Sequence, residues 1–448
     1  MVDLKQNADD IQQEIDWLRE ILKTRSIMNS KQPGKYNDVL DIPPPDLSNS
    51  KSAYAQFVKQ HGLDILERFL VIIASVPHIK PELLDMFMAK NSQTHQVYTE
   101  FGGKQGKSHN GFIPTGVTIL FILAGCDLKK RFEYSKLFDP ENILFKSQIL
   151  KLGEVEPDEP FLNGTLTISK ESLDIITTGQ QRKPTFSNEF PAQLLTTQMD
   201  WEDLVLPPTT SKQLAEIETW LQFKDQLMED WGMGKILKPG YKALFYGPPG
   251  TGKTLTANLL GKKVGIDVYR IDLSKLVSKY IGETEKNLSK IFNRAENKNW
   301  ILFFDEADAL FGKRTSVSDA HDRYANQEVS YLLQRIEDYN GLVILASNLK
   351  NNLDDAFMRR FQTSIHFPIP RAEERRKIWE KSFPKAAKLE SRINLQDLAK
   401  NYELAGGSII NVVQHSALVA LKRGNGTIHL EDINEGVRRE YYKAGRTM

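Results

Sequence analysis

The stretch Phe245–Leu260, FYGPPGTGKTLTANLL, sets three glycines, two prolines and one lysine between an apolar run and a helix-like one. Glycine opens backbone conformations that a Cβ forbids, so a turn of this kind lets bare amides close around a large anion. Gly247, Pro248, Pro249, Gly250, Thr251, Gly252, Lys253 and Thr254 spell G-x-x-x-x-G-K-[ST], and the motif stands where it must, after a strand-like run and before a helix-like one. In that setting the amides and the positive helix end cradle a phosphate chain. Lys253 reaches the β- and γ-phosphates, and the Thr254 hydroxyl holds Mg²⁺.

The surroundings of this turn extend the constraint to a whole domain. From Trp201 onward the runs KALFY, DVYRI, WILFF, GLVILAS and SIHFPI alternate with helix-length segments. Short continuous apolar runs in that rhythm predict a parallel sheet buried on both faces. WILFFDEADALF places Asp305 and Glu306 at the carboxyl end of one such strand, where open α/β sheets bind their ligands. Asp305 is expected in the Mg²⁺ shell, and Glu306 is expected to orient and polarise an attacking water. After Pro370 the strand pattern stops, and the remaining runs read as a compact helical domain.

The chain is 448 residues long, with 40% hydrophobic and 26% charged residues, so more than one well-cored domain is expected. A formal net charge of +1 gives no electrostatic argument for nucleic acid or a membrane surface. Cys126, the only cysteine, excludes an internal disulfide and a cysteine-rich zinc site. Its apolar surroundings predict a buried thiol in a reducing compartment. The N-terminus is acidic and no apolar run approaches the roughly 18 residues that span a bilayer, so the expectation is a cytoplasmic protein without membrane insertion.

Ile11, Ile15, Leu18 and Leu22 recur at helical spacing, which predicts an amphipathic helix over 8–24. Its stripe either docks on the same chain or binds a partner. The prolines at 43–45 mark a linker, so 1–50 reads as a helix plus linker. Helix-length apolar stretches follow, then short strands with turns at Pro157, Pro160 and Asn163-Gly164, giving a mainly helical, winged-helix-like domain over 51–185. The glycine-rich loop near 98–116 lacks a Lys-Ser/Thr pair and reads as flexible. A polar connector occupies 186–200, ahead of an α/β domain over 201–370 and a helical domain over 371–448.

With these motifs in place, the chain from about Trp201 to Tyr442 resembles the AAA+ ATPases, near the branch containing katanin and spastin. The resemblance implies ATP as the nucleotide, a five-stranded parallel sheet in the order 5-1-4-3-2 and a C-terminal helical lid. GLVILASN is similar to the family's sensor-1 strand, which would put Asn348 between water and γ-phosphate. LDDAFMRRFQTSIHFPIP is similar to its arginine-finger segment, which implies that Arg359 and Arg360 serve the neighbouring subunit's nucleotide. AGGSII, with Gly406 and Gly407, resembles the sensor-2 region of members that lack a sensor-2 arginine. WEDLVL resembles the segment lining the adenine pocket, through Leu204 and Val205. Fingers acting in trans require a heterologous contact that closes as a ring, a hexamer by the family's precedent.

In LVSKYIGETEKNLSKIF, residues Lys279, Tyr280, Ile281 and Gly282 stand where the family carries its substrate-gripping pore loop. An aromatic there grips an extended polypeptide through bulk without reading its sequence; the alternative is a helix-packing tyrosine. Lys313, Arg314, His321 and Arg323 resemble a second pore loop, or are solvated charge. A protein-remodelling ring ATPase is therefore the expected function, with a nucleic-acid motor and a nucleotide-dependent scaffold as the competing classes. The N-terminal layout also resembles, more loosely, a bacterial AAA+ subgroup, some members of which accompany extracellular contractile injection systems.

Overall fold

The computed structural model describes residues 3–92, 95–106, 108–180, 183–187, 190–276, 282–296, 298–308, 320–348 and 358–445. The chain forms two compact units, Met1–Lys183 and Pro184–Met448.

The first unit is built on helix α1, Leu4–Asn29, whose first turn is capped by the Asp3 carboxylate. This helix is longer than the expected 8–24, and its stripe is covered within its own unit. Ile11, Ile15, Leu18 and Leu22 are all buried, with Trp17 and Ile21 beside them. Polar side chains on the same helix lock it in place. Asn7 donates to the Ile176 and Thr177 carbonyls at 2.8 Å each and accepts from the Tyr54 amide at 2.9 Å. Glu14, fully buried, pairs with Arg68. The proline-rich stretch is no linker either: Val39, Ile42 and Leu47 are buried, and Trp17 Nε1 donates to the Ile42 carbonyl at 3.0 Å. Residues 1–50 thus belong to the core of the unit they were expected to precede.

The rest of this unit comprises α2 (Ala53–His61), α3 (Ile65–Ile79), hairpin strands β1 (Lys104–Gln105) and β2 (Phe112–Ile113), α4 (Gly116–Ala124) and α5 (Leu128–Ser135). Antiparallel strands β3 (Leu150–Leu152) and β4 (Leu166–Ile168), followed by α6 (Lys170–Thr178), complete it. The loop read as flexible therefore carries a short hairpin. Cys126 is exposed rather than buried, because Gly125 ends α4 with a positive φ and turns the chain outward one residue before the thiol.

The second unit begins with an extra strand, β5 (Gln193–Leu194), inside the segment expected to be a connector. Helix α7 (Pro208–Met228) follows, and then the alternation β6 (Tyr241–Tyr246), α8 (Lys253–Val264), β7 (Val268–Asp272), α9 (Glu283–Ala295), β8 (Ile301–Asp305), α10 (Ala320–Asp338), β9 (Leu342–Ser347) and β10 (Thr363–His366). The sheet order is β10-β6-β9-β8-β7-β5. Counted from β6 in chain order, the parallel strands run 5-1-4-3-2, and antiparallel β5 makes six where five were expected. The edge strand forms because Phe190, fully buried, packs its ring on Tyr269 and Trp300 at 5.3 and 5.8 Å.

Alternate strand residues feed two cores. Leu244, Ile271 and Phe304 face α9 and α10, whereas Ala243, Phe245, Ile301 and Phe303 face α7 and α8. Burial on both faces is why the strands read as unbroken apolar runs. The remaining helices α11 (Ala372–Ser382), α12 (Leu395–Asn401), α13 (Gly406–Arg423) and α14 (Leu430–Lys443) close on their own core around Trp379. They are joined by a two-stranded parallel pair, β11 (Lys388–Leu389) with β12 (Thr427–Ile428), which the sequence did not suggest. Among the described residues no helix is long and apolar enough to cross a membrane.

Candidate nucleotide site

The glycine-rich turn joins the carboxyl end of β6 to the first residue of α8. Gly247 has φ +146°, and a Cβ on it would lie 2.1 Å from the Phe367 carbonyl oxygen, so no other residue fits there. Thr251 Oγ1 donates to the Pro248 carbonyl at 2.8 Å, closing the turn on itself. Pro249 is exposed at its tip, and Thr254 lies half-buried in the first turn of α8.

Lys253 points back into the loop. Its Nζ donates to the carbonyls of Gly247 at 2.6 Å and Pro248 at 3.0 Å, and to Asn348 Oδ1 at 3.1 Å. Only 7% of the residue is exposed. Burial pulls its ammonium below the usual lysine range, and Asp305 and Asp308 pull it part of the way back. Asn348 and the glycine-loop lysine, 95 residues apart, are therefore in direct contact.

Asp305 ends β8 in register with Asp272 of β7. Its Oδ1 accepts from the Glu306 amide at 3.1 Å, and its Oδ2 pairs with Arg270 at 2.9 Å. Glu306 is exposed and has φ +54°, a left-handed conformation that is costly for a residue other than glycine. The turn is held from both sides: the Ala307 amide donates to the Ala346 carbonyl at 2.9 Å, and the Asn348 amide donates to Asp308 Oδ1 at 3.2 Å. These two bonds stitch the end of β8 to the end of β9, where Asn348 meets Lys253.

The helical subdomain reaches the same loop. The Gly407 amide, in the first turn of α13, donates to the Gly250 carbonyl at 2.9 Å. A Cβ on Gly407 would come within 3.2 Å of Gly250 Cα, a tight approach that a side chain would have to push apart slightly, and Gly406 lies beside it, where a Cβ would sit 3.5 Å from the Gly250 oxygen. On the other side, a Cβ on Gly252 would lie 3.9 Å from Leu204 Cδ1, with Val205 half-buried next to it. Lys381 of α11 donates to the Glu202 carbonyl, tying that segment to the helical subdomain.

Arg359 and Arg360 are not at this end of the sheet. Gln362 brackets Lys242 at the start of β6, its amide donating to the Lys242 carbonyl at 3.0 Å and its Oε1 accepting from the Lys242 amide at 2.7 Å. The arginines precede Gln362, so the length of β6, about 17–20 Å for a strand of this size, separates them from the glycine loop. The pair is also unequal. Both are exposed, but Arg360 forms an ion pair with Glu337 of α10 at 2.5 Å.

Gly282 caps α9 with φ +79°. Lys279, Tyr280 and Ile281, like Lys313 and Arg314, lie outside the described residues, as do the side chains of His321 and Arg323. Sequence reasoning missed Arg270 and Asp308. Arg270 carried a signal, a charge inside a strand whose neighbours are apolar; Asp308 carried only its place three residues beyond Asp305.

Comparison with known proteins places the same region. Residues 243–369 match the family model "ATPase family associated with various cellular activities (AAA)". "Cell division protein C" of Sulfolobus acidocaldarius is 34% identical over 189 residues, 40% of this chain and 50% of that protein. "Peroxisomal ATPase pex6" of Schizosaccharomyces pombe is 32% identical over 220 residues, covering 47% of this chain and 23% of that one. "Proteasome-activating nucleotidase" of Saccharolobus islandicus is 29% identical over 234 residues, 50% and 58% of the two chains. The chain spans about half the length, or less, of these curated relatives that it matches.

Proposed function

Because residues 243–369 are an AAA ATPase domain, we propose that this chain hydrolyses ATP as one subunit of a homo-hexameric ring that remodels, unfolds or disassembles protein clients. The observation that carries the ring is the separation within one sheet: Lys253 and Glu306 stand at the carboxyl ends of the strands, and Arg359 stands past the opposite end. An arginine so placed cannot serve its own site. Supplied by a neighbour, its guanidinium suits charge developing on a γ-phosphate.

In this reading the loop amides and the amino end of α8 receive the phosphates, and Lys253 exchanges carbonyl partners for phosphate oxygens. Asp305 and Thr254 offer hard oxygen donors of the kind Mg²⁺ accepts alongside substrate phosphates; the ion supplies neutralisation of β- and γ-oxygen charge. Glu306, exposed on its strained turn, takes the proton of the attacking water, and Asn348 orients that water while still bonded to Lys253. Leu204 and Val205 line the base, and Gly406 and Gly407 bring the helical subdomain down on the loop. Tyr280, with Lys279, Ile281 and Gly282, grips the client. That the relatives' names include a proteasome-activating nucleotidase and a peroxisomal ATPase supports a protein client, and the N-terminal layout favours sheath or tube proteins of a contractile injection particle.

Glu306→Gln is expected to retain ATP binding and assembly while losing turnover by about 10²-fold or more. Phosphate release and gel filtration with ATP measure the two separately, and wild-type turnover in the variant would place the base elsewhere. Tyr280→Ala is expected to keep basal hydrolysis and lose client-stimulated hydrolysis, with Tyr280→Phe retaining most of it. Loss of basal hydrolysis in Tyr280→Ala would mark the tyrosine as a packing residue.

A further inference from the structure

Both carboxylate oxygens of Asp305 are already engaged: Oδ1 by the Glu306 amide at 3.1 Å and Oδ2 by the Arg270 guanidinium at 2.9 Å. Arg270 of β7 is in register with Phe303 of β8, so its side chain rises on the face that α8 covers, beside Val268, Ile301 and Phe303. The pair is sheltered, with 34% of the arginine side chain and 17% of the aspartate exposed. Arg270 Nε is buried without a hydrogen-bond partner among the described residues. Among the described residues the guanidinium is held at its Asp305 end, with no second acid paired to it.

We propose that Arg270 is a resident counter-cation, a positioning residue that competes with the divalent metal for Asp305 and so raises the Mg²⁺ concentration at which the site takes up metal–nucleotide. The proposal rests on the reading of Asp305 as a metal carboxylate. A guanidinium stays charged at any pH the fold tolerates, so it cannot leave by losing a proton. Mg²⁺ demands near-octahedral oxygen geometry, reaching a carboxylate directly or through its own water. Either contact must take the Oδ2 lone pairs from Arg270 or accept a positive neighbour a few ångströms away. Uptake of the metal thus displaces the arginine or weakens its hold on Asp305, and on loss of the metal the full pair is restored.

The test is binding of a fluorescent ATP analogue to the full chain, titrated with free Mg²⁺ and repeated in EDTA. Arg270→Gln is expected to lower the Mg²⁺ midpoint roughly fivefold, the scale of one partly exposed ion pair, with no gain in affinity in EDTA. Arg270→Lys, which keeps the charge but not the fork, is expected to move the midpoint the same way by less, and it carries the measurement if the glutamine variant fails to fold. Asp305→Asn is expected to lose the Mg²⁺ dependence and to make Arg270→Gln silent when the two are combined. A midpoint unchanged or raised in both Arg270 variants, with Asp305→Asn insensitive to Mg²⁺, overturns the proposal and leaves the metal reading standing. A wild-type Mg²⁺ response in Asp305→Asn overturns the metal reading itself.

Discussion

Two buried lysines stand at opposite ends of the same strand. Lys242 opens β6 and Lys253 follows the loop that closes it; 3% and 7% of the two residues are exposed, and burial lowers the ammonium pKa of both. Burial and a shifted pKa therefore fail to tell them apart. Their surroundings do. Lys253 has three oxygen acceptors within 3.1 Å, two of them carbonyls of the glycine loop, and Asp305 and Asp308 support its charge. Among the described residues Lys242 has a single oxygen acceptor, the Tyr339 carbonyl at 3.4 Å, and although Glu337 and Asp338 support its charge, Lys238 opposes it. The carboxyl end of a parallel sheet gathers loops that can converge on a ligand, whereas the amino end is packed shut.

The sharpest way to break this contrast is to remove each ammonium in turn. Lys253→Ala takes the cation from the phosphate cradle and is expected to abolish detectable ATP binding in titration calorimetry. Lys242→Met is expected to bind ATP as the wild type does. Equal losses in the two variants would mean that the site is not confined to one end of the sheet.

The two arginines extend the comparison across subunits. Arg359→Ala is expected to lower turnover steeply, within the roughly 10³- to 10⁵-fold range of fingers supplied in trans, with ATP affinity unchanged in the isolated subunit. Mixing inactive Arg359→Ala with inactive Lys253→Ala protein is expected to restore part of the activity, because intact loops then meet intact fingers; a mixture as inactive as its parents would rule out action in trans. Arg360→Ala is expected to cost less. Its guanidinium already pairs with Glu337, so it is expected to brace the Arg359 turn rather than to reach a neighbour's nucleotide. A loss from Arg360→Ala as large as that from Arg359→Ala would reverse these roles.

How far the sequence showed this division depends on the kind of signal. The glycine loop and the five parallel runs were legible because each is local: a motif with fixed spacing, or a strand apolar on both faces. Asp305 and Glu306 were legible through their position at a strand end. The Arg270–Asp305 pair was not, since it depends on the register between β7 and β8, which no single segment encodes. Strand β5 was hidden for the same reason: two residues in a polar stretch become a strand only because Phe190 finds Tyr269 and Trp300. In the first unit, Asn7 and Glu14 look like the wet face of an amphipathic helix, yet they are buried, because their partners, Tyr54 and Arg68, come from 47 and 54 residues away.

The smallest effect expected concerns Lys242 and stability alone. Burial, with Lys238 adding to it, depresses its pKa from 10.5 to about 8. Below pH 8 both the folded and unfolded chains carry the charge, and folding bears the full cost of burying it, on the order of 3 kcal/mol from a shift of that size. Between about pH 8 and 10.5 the unfolded chain holds a proton that the folded chain has released, so stability rises with pH across that window. Lys242→Met keeps the apolar stem and gives up one long contact to the Tyr339 carbonyl. It is expected to stabilise the second unit at pH 7 by about 1–3 kcal/mol, and the gain should shrink as pH approaches 10. Urea midpoints of both proteins at pH 7 and pH 10 make the measurement. A gain that stays constant with pH would mean that the folded chain keeps this proton as firmly as the unfolded one does, so that burial does not depress the ammonium. A loss at pH 7 would mean that the Tyr339 bond outweighs the burial of the charge, and the amino end of β6 would then hold its lysine as firmly as the carboxyl end does.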